Sequence, residues 1–525
     1  MPNRETSGSN HGSIRRRKFL AKGTAVASAA LLAGCSGGDG GGDGGSNNAS
    51  GGGGATNDSS DTSNSTGGGG ATGNASNASN ASGGGGGSSD YSGLTIQYWN
   101  RFHNNSGEAN NAIRQAIGRF EEETGATVNV QYSSGEPGQR WLTLAREGNR
   151  PHIMDQVAGQ VGPFVELEII KPFSDYSSLF SDDLIEQTSW FMDNVGSQTY
   201  SGFGGNAYEF KFSTESPRLF LARRDHIEEA GLDPEQDFPP TSFQESIELG
   251  QTLQEDGPGD FGFQIYGTDS DVTDTCTEDW PIARGGSAGK FLNEDWSDTK
   301  IDNDAFKTSY ENFVSILTEH ELSSPGTVSM SDEDATQALI RGDASMTQVP
   351  SATYADLLSN AEQQVMNGNF VFGPAWRGDS GARGMSGGDG ITFVNPPDGA
   401  NQDEWQRAQE AAADLLENYL YFSDDFQARM FSTIGGGPIR EDVGPEDIKG
   451  AVEDPTGYNQ TNIIDAFNTC LQDQDQYFLQ AAAPMFGQIQ YEIMPGYIQQ
   501  ALQGQMSASE ALDQAAQEAR NQFFN

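Results

Sequence analysis

The stretch from residue 94 to residue 155 constrains the fold of this chain more than any other part of its sequence. Residues 94–99 alternate apolar with polar side chains, as a half-buried strand does, and residues 126–132 repeat the pattern. Between them, residues 112–120 place apolar side chains on one face of a helix, and residues 138–155 read as a second helix and a third strand. Strands that alternate with helices predict an α/β fold with a largely parallel sheet.

Composition divides the chain into a tether and a folded part. Residues 35–92 are rich in Gly, Ser, Asn and Thr and cannot bury enough apolar surface to offset the entropy of ordering. They are predicted to form a disordered tether with an end-to-end distance of about 40 Å. The roughly 430 residues that follow exceed one compact domain, so we expect two lobes.

The sequence also contains Asn-x-Ser/Thr sequons, which are candidate glycosylation sites unless an Asn- and Ser-rich tether produced them by chance. In the tether they are Asn48, Asn57, Asn64, Asn74, Asn77 and Asn80, and Asn104 and Asn459 add two in the folded part.

Residues 1–34 resemble a twin-arginine-type lipoprotein signal peptide. A cationic run precedes an apolar stretch of about ten residues, which is too short to cross a bilayer core of ~30 Å. The Arg-Arg-x-Phe-Leu pattern at residues 16–20 resembles a twin-arginine signal, and Leu-Ala-Gly-Cys at residues 32–35 resembles a lipoprotein processing box. We expect Cys35 to carry the lipid that anchors the protein on the extracellular face of the cell membrane. The alternative is an ordinary thiol in a disordered tail.

The charge of the chain is strongly negative. The net charge is −46, and removal of residues 1–34 takes away six basic residues and one acidic residue, which leaves −51. Such a surface repels nucleic acid and anionic lipid headgroups, so neither is an expected partner. Dispersed negative charge with few lysines is typical of adaptation to very high salt, where self-repulsion is screened within ~3 Å at 1 M. A merely acidic secreted protein is the alternative.

The cysteines and histidines suggest no metal chemistry. Cys276 and Cys470 remain once Cys35 is lipidated, and they are able to form a disulfide outside the cell or to lie buried as small apolar side chains. The histidines are few and widely spread, so neither a His-based metal centre nor a catalytic triad is expected. We expect no cofactor and no bound metal.

Short motifs along residues 94–525 resemble those of one known family. In chain order they are Trp99–His103, Phe120–Gly125, Pro151–Asp155, Pro240–Glu245, Trp280–Gly286, Arg341–Met346, Gly435–Arg440, Glu492–Pro495 and residues 507–516. Each motif alone is loose, whereas their order and spacing together are specific. The chain resembles the extracellular solute-binding proteins of the sugar-binding, maltose-binding-protein-like family, the receptors of ABC importers. Its signal and charge resemble the haloarchaeal type of lipoprotein.

The resemblance implies an α/β, two-lobed periplasmic-binding-protein-like fold of type II, with an interlobe cleft and a hinge. We place lobe one at residues 94–213 plus 346–390 and lobe two at residues 214–345 plus 391–525. The solute is expected in the cleft, where strands end, and closure is expected to be a hinge motion.

The resemblance also implies a function. It predicts a monomer that captures a sugar or oligosaccharide outside the cell and delivers it unchanged to ABC permease subunits with a cytoplasmic ATPase. Two departures leave the solute open, because Leu221–Asp225 replaces a frequent Tyr-Asn-Lys-Asp strand and Ser351–Tyr354 stands where relatives often have Trp. A receptor for a peptide, polyamine or other small polar solute is the alternative.

Candidate binding residues follow the predicted strands. Sugar rings present apolar faces and rims of hydroxyls, so a sugar receptor needs aromatic platforms together with carboxylates and amides, mainly on loops. Trp99 and Arg101 follow the first strand, although Trp99 equally continues the alternation of core residues. Asp155 and Gln156 end the third strand and are cleft candidates, unless they cap the next helix.

Further acids are candidates near the expected crossings between lobes. Glu209 and Glu215 flank a Phe-Lys-Phe run, and the resemblance puts a cleft acid near Glu215, with a solvated surface acid as the alternative. Glu278, Asp279 and Trp280 stand together before a Gly-rich turn and suit a wall of lobe two, unless Trp280 packs in the core.

The remaining candidates lie in the second half of the chain. Tyr354 takes the place of a family aromatic, and Tyr491 lies on a late helix where relatives place a stacking aromatic, or in the core of that helix. Trp376 lies in a Gly-rich stretch with little core to fill, which predicts an exposed ring. Gly387 and Gly388 would let the backbone approach a ligand closely, with a plain loop as the alternative.

The sequence does not favour an enzyme. Because Asp and Glu are abundant throughout the chain, a pair of carboxylates like that of a glycosidase carries no information here. The sequence also has no nucleophile elbow, phosphate-binding loop or His-Glu-x-x-His motif. A surface adhesion module that uses the tether alone is a further alternative. A permease and an ATPase encoded alongside would distinguish a receptor from an adhesin.

Salt should control folding if the acidic surface reflects adaptation to high salt. We expect partial unfolding on transfer from molar to millimolar salt, because the unscreened carboxylates repel one another. Far-UV circular dichroism across this range should show a progressive loss of helix signal. A spectrum that does not change would contradict the prediction.

Overall fold

The computed structural model describes residues 90–100, 107–132, 138–211, 217–268, 272–273, 279–385, 389–434, 460–471, 476–478 and 481–524. All of them lie within one unit, residues 84–525. The predictions for residues 1–34, for Cys35, for all eight sequons and for most of the tether fall outside the described residues.

Ten short strands occur in the described residues. They are β1 (Thr95–Asn100), β2 (Thr127–Tyr132), β3 (Ile153–Val157), β4 (Phe210–Lys211), β5 (Arg218–Arg223), β6 (Met346–Pro350), β7 (Phe370–Pro374), β8 (Arg383–Met385), β9 (Asp389–Phe393) and β10 (Gln476–Phe478).

Helices surround these strands. The α-helices are α1 (Gly107–Thr124), α2 (Gly138–Arg146), α3 (Ala158–Glu166), α4 (Asp182–Phe191), α5 (Ser197–Thr199), α6 (Arg224–Glu229), α7 (Phe243–Asp256), α8 (Trp280–Gly285), α9 (Asp304–Thr318), α10 (Asp332–Arg341), α11 (Thr353–Met366), α12 (Gln402–Asp414), α13 (Asp424–Ile434), α14 (Ile463–Leu471), α15 (Met494–Leu502) and α16 (Ala508–Ala519). Short 3₁₀ or π segments lie at Phe173–Leu179, Met192–Gly196, Ser201–Phe203, Gly286–Gly289, Pro325–Ser329, Leu415–Tyr421, Gln488–Ile493 and Arg520–Phe524.

The first sheet has the order β2-β1-β3-β9-β4. β1 pairs in parallel with β2 and β3, as the alternation of strands and helices predicts, whereas β9 runs antiparallel between β3 and β4. One face of this sheet packs against α1 and α12. The apolar face predicted for residues 112–120 is buried there, and α1 ends before Gly125, whose φ of +72° suits a glycine after a helix.

The second sheet has the order β6-β5-β7 and is antiparallel, which differs from the parallel sheet expected. All six residues of β5 are buried, because helices cover both faces of this central strand. A third, two-stranded sheet joins β8 and β10 in parallel.

Strand pairing corrects the predicted division of the chain. β6 and β7 pair with β5, so residues 346–374, which were assigned to lobe one, belong to the second sheet. β9 pairs with β3 and β4, and residues 402–430 pack on the same core, so this part of the segment assigned to lobe two belongs with the first sheet. Alternation within a strand shows which face is buried, but it does not identify the partner strand.

Two further observations bear on the predicted chemistry. None of the helices in the described ranges is long and apolar enough to cross a membrane, and no three His, Cys, Asp or Glu side chains in those ranges converge as metal ligands would. Cys470 is buried, and burial raises the pKa of its thiol to about 11. Cys276 lies outside the described residues, so a disulfide between the two stays a prediction.

Candidate functional site

Four of the five strands of the first sheet, β1 to β4, end at the same edge. β1, β3 and β4 point the same way, and β9, which is antiparallel to them, begins where they end. This first edge is formed by Asn100, Asp155, Lys211 and Gly390. In open α/β sheets, ligands bind beyond the carboxyl ends of the strands, so the first edge is a candidate wall of a binding site.

A buried ion pair occupies one end of the first edge. Lys211 Nζ lies 2.8 Å from Glu209 Oε2, and both side chains are almost completely buried. The Tyr200 hydroxyl donates to the same oxygen at 2.5 Å, and burial raises the pKa of Tyr200 well above its ordinary value. Gly390 makes room for the pair, because a Cβ there would lie 2.7 Å from the Glu209 Cβ. Glu209 Oε1 has no hydrogen-bond partner among the described residues and is therefore a buried acceptor.

Asn100 and Asp155 occupy neighbouring positions on the first edge. The register Trp99↔Met154 places them side by side at the ends of two parallel strands, and both are completely buried. Asn100 Nδ2 donates to the Tyr98 hydroxyl at 2.7 Å. Asn100 Oδ1 has no hydrogen-bond partner within the described ranges, so it is a second buried acceptor at this edge.

The second sheet has a corresponding edge. β6 and β7 end beside Arg218, at the start of β5, and Gln348 lies two residues before the end of β6. The Gln348 side chain accepts a hydrogen bond from Trp280 Nε1 at 2.6 Å and donates to Asp279 at 3.3 Å. Arg218, Asp279, Trp280 and Gln348 form the second edge.

Asp279, the acid of the second edge, has a strongly shifted pKa. Burial raises its pKa from 3.8 to about 6, which the positive charges of Arg218 and Arg383 only partly oppose. A buried carboxyl group whose pKa is raised toward neutral pH is a frequent feature of functional sites. Ion-pair networks with a purely structural role perturb pKa values too.

The aromatic candidates of lobe two lie together, but they are not exposed. Trp280 and Trp376 pack edge to face with ring centroids 5.0 Å apart, and Phe243 covers the Trp376 ring at 5.7 Å. Trp376 is 6% exposed, so the expectation of an exposed ring with little core to fill is wrong. Its Nε1 has no hydrogen-bond partner among the described residues, and Trp376 is one of the residues that line a crevice of about 40 Å³.

Other aromatic candidates are largely packed as well. Trp99 is buried against Trp141 with ring centroids 5.6 Å apart, which agrees with its core interpretation. Tyr354 is buried with its ring 6.3 Å from that of Phe372, and Tyr491 is half-buried in the π segment Gln488–Ile493. A binding role for these residues stays a prediction.

Five predicted site residues fall outside the described residues: Arg101, Glu215, Glu278, Gly387 and Gly388. For Gln156 only the backbone is described, in β3 opposite Gly390.

Sequence reasoning predicted Asp279 beside Trp280 but missed three polar residues that the edges bring into place: Asn100, Lys211 and Gln348. Lys211 is a single polar residue between two phenylalanines, a pattern that signals a buried polar group, whereas Gln348 follows Thr347 in β6 and carries no such signal. Asn100 directly follows Trp99 at the end of β1, so attention to the strand end would have found it.

The family of the chain follows from its sequence. Residues 103–417, more than half of the chain, match the model of the bacterial extracellular solute-binding proteins. The chain belongs to this family. Its members are binding proteins that act outside the cytoplasm. No curated protein sequence matches the chain.

Solved structures resemble this solute-binding protein over most of its length. The cyclic alpha-maltosyl-1,6-maltose binding protein from Arthrobacter globiformis has a TM-score of 0.61 at 16% identity, with 82% of this chain and 99% of the other covered. An ABC transporter solute-binding protein from Agrobacterium radiobacter K84, in complex with ribitol, has a TM-score of 0.59 at 16% identity and 83% and 100% coverage. The maltose/maltodextrin-binding domain from Bdellovibrio bacteriovorus, bound to maltotriose, has a TM-score of 0.57 at 16% identity and 82% and 100% coverage.

These likenesses confirm the predicted fold class. The solute-binding protein has the α/β, two-lobed periplasmic-binding-protein-like fold of type II. Lobe one is built on the first sheet and lobe two on the second. Ligands of open α/β sheets bind beyond the carboxyl ends of strands, so the first edge and the second edge are candidate walls of the site.

The pKa of Asp279 predicts a pH-dependent stability. Because its carboxyl binds a proton more tightly in the folded state than in the unfolded state, the wild type loses stability as the pH rises from 3.8 through about 6. Asp279→Asn removes this loss. We expect the unfolding free energy of the variant, relative to the wild type, to rise by about 2 kcal/mol between pH 4 and pH 7.

Denaturant titrations in molar salt measure this difference. Asp398→Asn, which removes the carboxylate of an exposed aspartate, is the matched control over the same range. A flat difference for Asp279→Asn would show that the carboxyl is not held in a desolvated environment.

Proposed function

We propose that this protein is the substrate-binding component of an ABC importer, and that it captures a sugar or oligosaccharide outside the cell and passes it unchanged to a membrane permease. The observation that carries the proposal is the pair of buried acceptors at the first edge, Glu209 Oε1 and Asn100 Oδ1. A buried acceptor without a donor destabilises the protein by ~1–3 kcal/mol, and a ligand hydroxyl would supply the donor.

The second edge complements the first. Gln348 and Asp279 place amide and carboxyl groups there, and Arg218 adds a cation beside them. Polyhydroxylated solutes carry both donors and acceptors, so they match two walls of mixed polarity better than an apolar ligand does. The neighbours named above support this choice of class, since their names give cyclic maltosyl-maltose, ribitol and maltotriose.

Export and anchoring form the cellular part of the proposal. We infer that residues 1–34 direct twin-arginine-type export and that a lipid on Cys35 holds the monomeric protein at the extracellular face of the membrane. Residues 35–92 would then be a tether that lets the receptor reach its permease, with glycans on some of the sequons. The charge of −46 supports a salt-rich medium.

A thermal-shift screen in molar salt tests the solute class. Mono- and oligosaccharides, polyols, peptides and polyamines are compared, and a sugar present at a hundredfold excess over its Kd should stabilise the protein by about 2.7 kcal/mol. The bound sugar, recovered by chromatography, should be unaltered. Stabilisation by peptides or polyamines alone would reject the sugar proposal in favour of its alternative, and product formation would indicate an enzyme.

Conservative variants test the site without creating a cavity in the core. Glu209→Gln keeps the shape of the side chain, and Trp376→Phe keeps a ring while removing the indole N–H. Each should weaken sugar binding about tenfold, the effect of one lost hydrogen bond to a buried group. Trp405→Phe is the matched control, because its Nε1 donates to the Val394 carbonyl at 3.1 Å, beyond the end of β9 opposite the first edge. Unchanged affinity in both site variants would place the solute elsewhere.

A further inference from the structure

Two buried arginines converge on Asp279, the acid of the second edge. Arg218 lies opposite Pro350, the last residue of β6, and Arg383 is the first residue of β8. They are 9% and 8% exposed. Burial raises the pKa of Asp279, and the positive charges of both arginines act against this rise, which places both near the carboxyl group. Because the chain has 29 Lys and Arg against 75 Asp and Glu, two buried cations at one carboxyl group call for an explanation.

Contacts with α8 bring Arg383 to this position. Ser380 Oγ donates to the Ile282 carbonyl at 2.9 Å, and Ala382, the residue before Arg383, packs against the Ile282 side chain. α8 begins directly after Asp279, so the same helix positions the acid and the start of β8.

Arg383 acts at the ends of two strands. The Cys470 thiol accepts a hydrogen bond from the backbone of Ala375, the residue that follows β7. Asp279 accepts a hydrogen bond from Gln348, near the end of β6, at 3.3 Å. Burial raises the pKa of the Cys470 thiol, and the charge of Arg383 opposes this rise as it does at Asp279. Since β6 and β7 are both antiparallel to β5, Arg383 lies at their carboxyl ends, where ligands of open α/β sheets bind.

The guanidinium groups offer donors as well as charge. Each arginine makes other contacts, but Arg218 Nε and Arg383 Nη1 are buried atoms with no hydrogen-bond partner among the described residues. A buried donor without an acceptor destabilises the protein, and a ligand acceptor would relieve this. Guanidinium N–H groups lie in one plane and match the paired oxygens of an oxyanion, which forms shorter and stronger hydrogen bonds than a neutral acceptor does.

The first edge has the opposite character. Its buried atoms without partners, Glu209 Oε1 and Asn100 Oδ1, are acceptors, which hydroxyl groups would satisfy. A solute that suits both edges therefore carries hydroxyl groups on one side and an oxyanion on the other.

We propose that the solute is an acidic sugar, whose oxyanion binds Arg218 and Arg383 and whose hydroxyl groups bind Glu209 and Asn100. The inference rests on the proposed function, because it names the class of sugar that the receptor captures. Carboxylate, sulfate ester and phosphate ester groups share the required chemistry. The buried position of the arginines keeps their attraction for the solute largely unscreened in concentrated salt.

Sugars that differ in charge test the proposal on the full-length wild type. Thermal-shift titrations in molar salt compare galacturonate with galactose and with the methyl ester of galacturonic acid, and glucuronate with glucose. Short oligomers of galacturonate are compared with maltodextrins, and the sulfate and phosphate esters of glucose distinguish the source of the oxyanion. At least one acid should bind about tenfold or more tightly than its neutral counterpart.

The outcomes separate this inference from the proposed function. If neutral sugars bind as tightly as the acids or more tightly, the inference is overturned and the proposed function stands. If no sugar of either kind binds, the proposed function fails and the inference fails with it.

Variants of opposite charge change test the role of the arginines. Arg383→Gln should weaken binding of the acid about tenfold more than binding of its neutral counterpart, whereas Asp279→Asn removes the opposing charge and should strengthen binding of the acid several-fold. Arg407→Gln is the matched control, because Arg407 is exposed on α12. Equal weakening of acid and neutral sugar by Arg383→Gln, or weaker binding of the acid by Asp279→Asn, would overturn the proposal. Opposite effects of the two variants cannot arise from loss of folded protein, and Asp279→Asn decides the question if Arg383→Gln does not fold.

Discussion

Hydrogen bonding of β9 between β3 and β4 organises the whole molecule. Five residues of β9 pair with β3 and two with β4, so a segment from late in the chain completes a sheet that began at Thr95. Everything between β4 and β9 that forms the second sheet is thereby enclosed between two parts of lobe one. The chain must cross between the lobes more than once, and such crossings are what a hinge requires.

The same strand also shapes the candidate site. Gly390 in β9 leaves the space that Glu209 and Lys211 fill, and the ion pair puts a carboxylate and an ammonium group in the interior at the end of β4. Buried charges destabilise a fold unless they are paired and hydrogen-bonded, and here Tyr200 supplies a further bond to Glu209. The polar groups at both edges are thus held before any solute arrives, which limits what binding must order.

The sequence predicted individual strands and helices better than it predicted which strands pair with each other. Alternation found β1 and β2, and helical periodicity found α1 with its buried face, because these patterns depend on near neighbours. It misplaced β6, β7 and β9, since the partner of a strand depends on hydrogen bonds between distant segments.

The candidate site shows the same difference between features set by near neighbours in the sequence and features set by distant segments. Trp280 and Trp376 were selected and do lie together, but their burial depends on Phe243, whose position no local pattern gives.

A crystal structure of the protein saturated with its most stabilising sugar tests the central claim most directly. The account predicts one intact sugar between the first edge and the second edge, with its hydroxyls within hydrogen-bond distance of Glu209 and Asn100. A sugar bound elsewhere on the surface, with both edges unchanged and out of contact with it, would contradict the account.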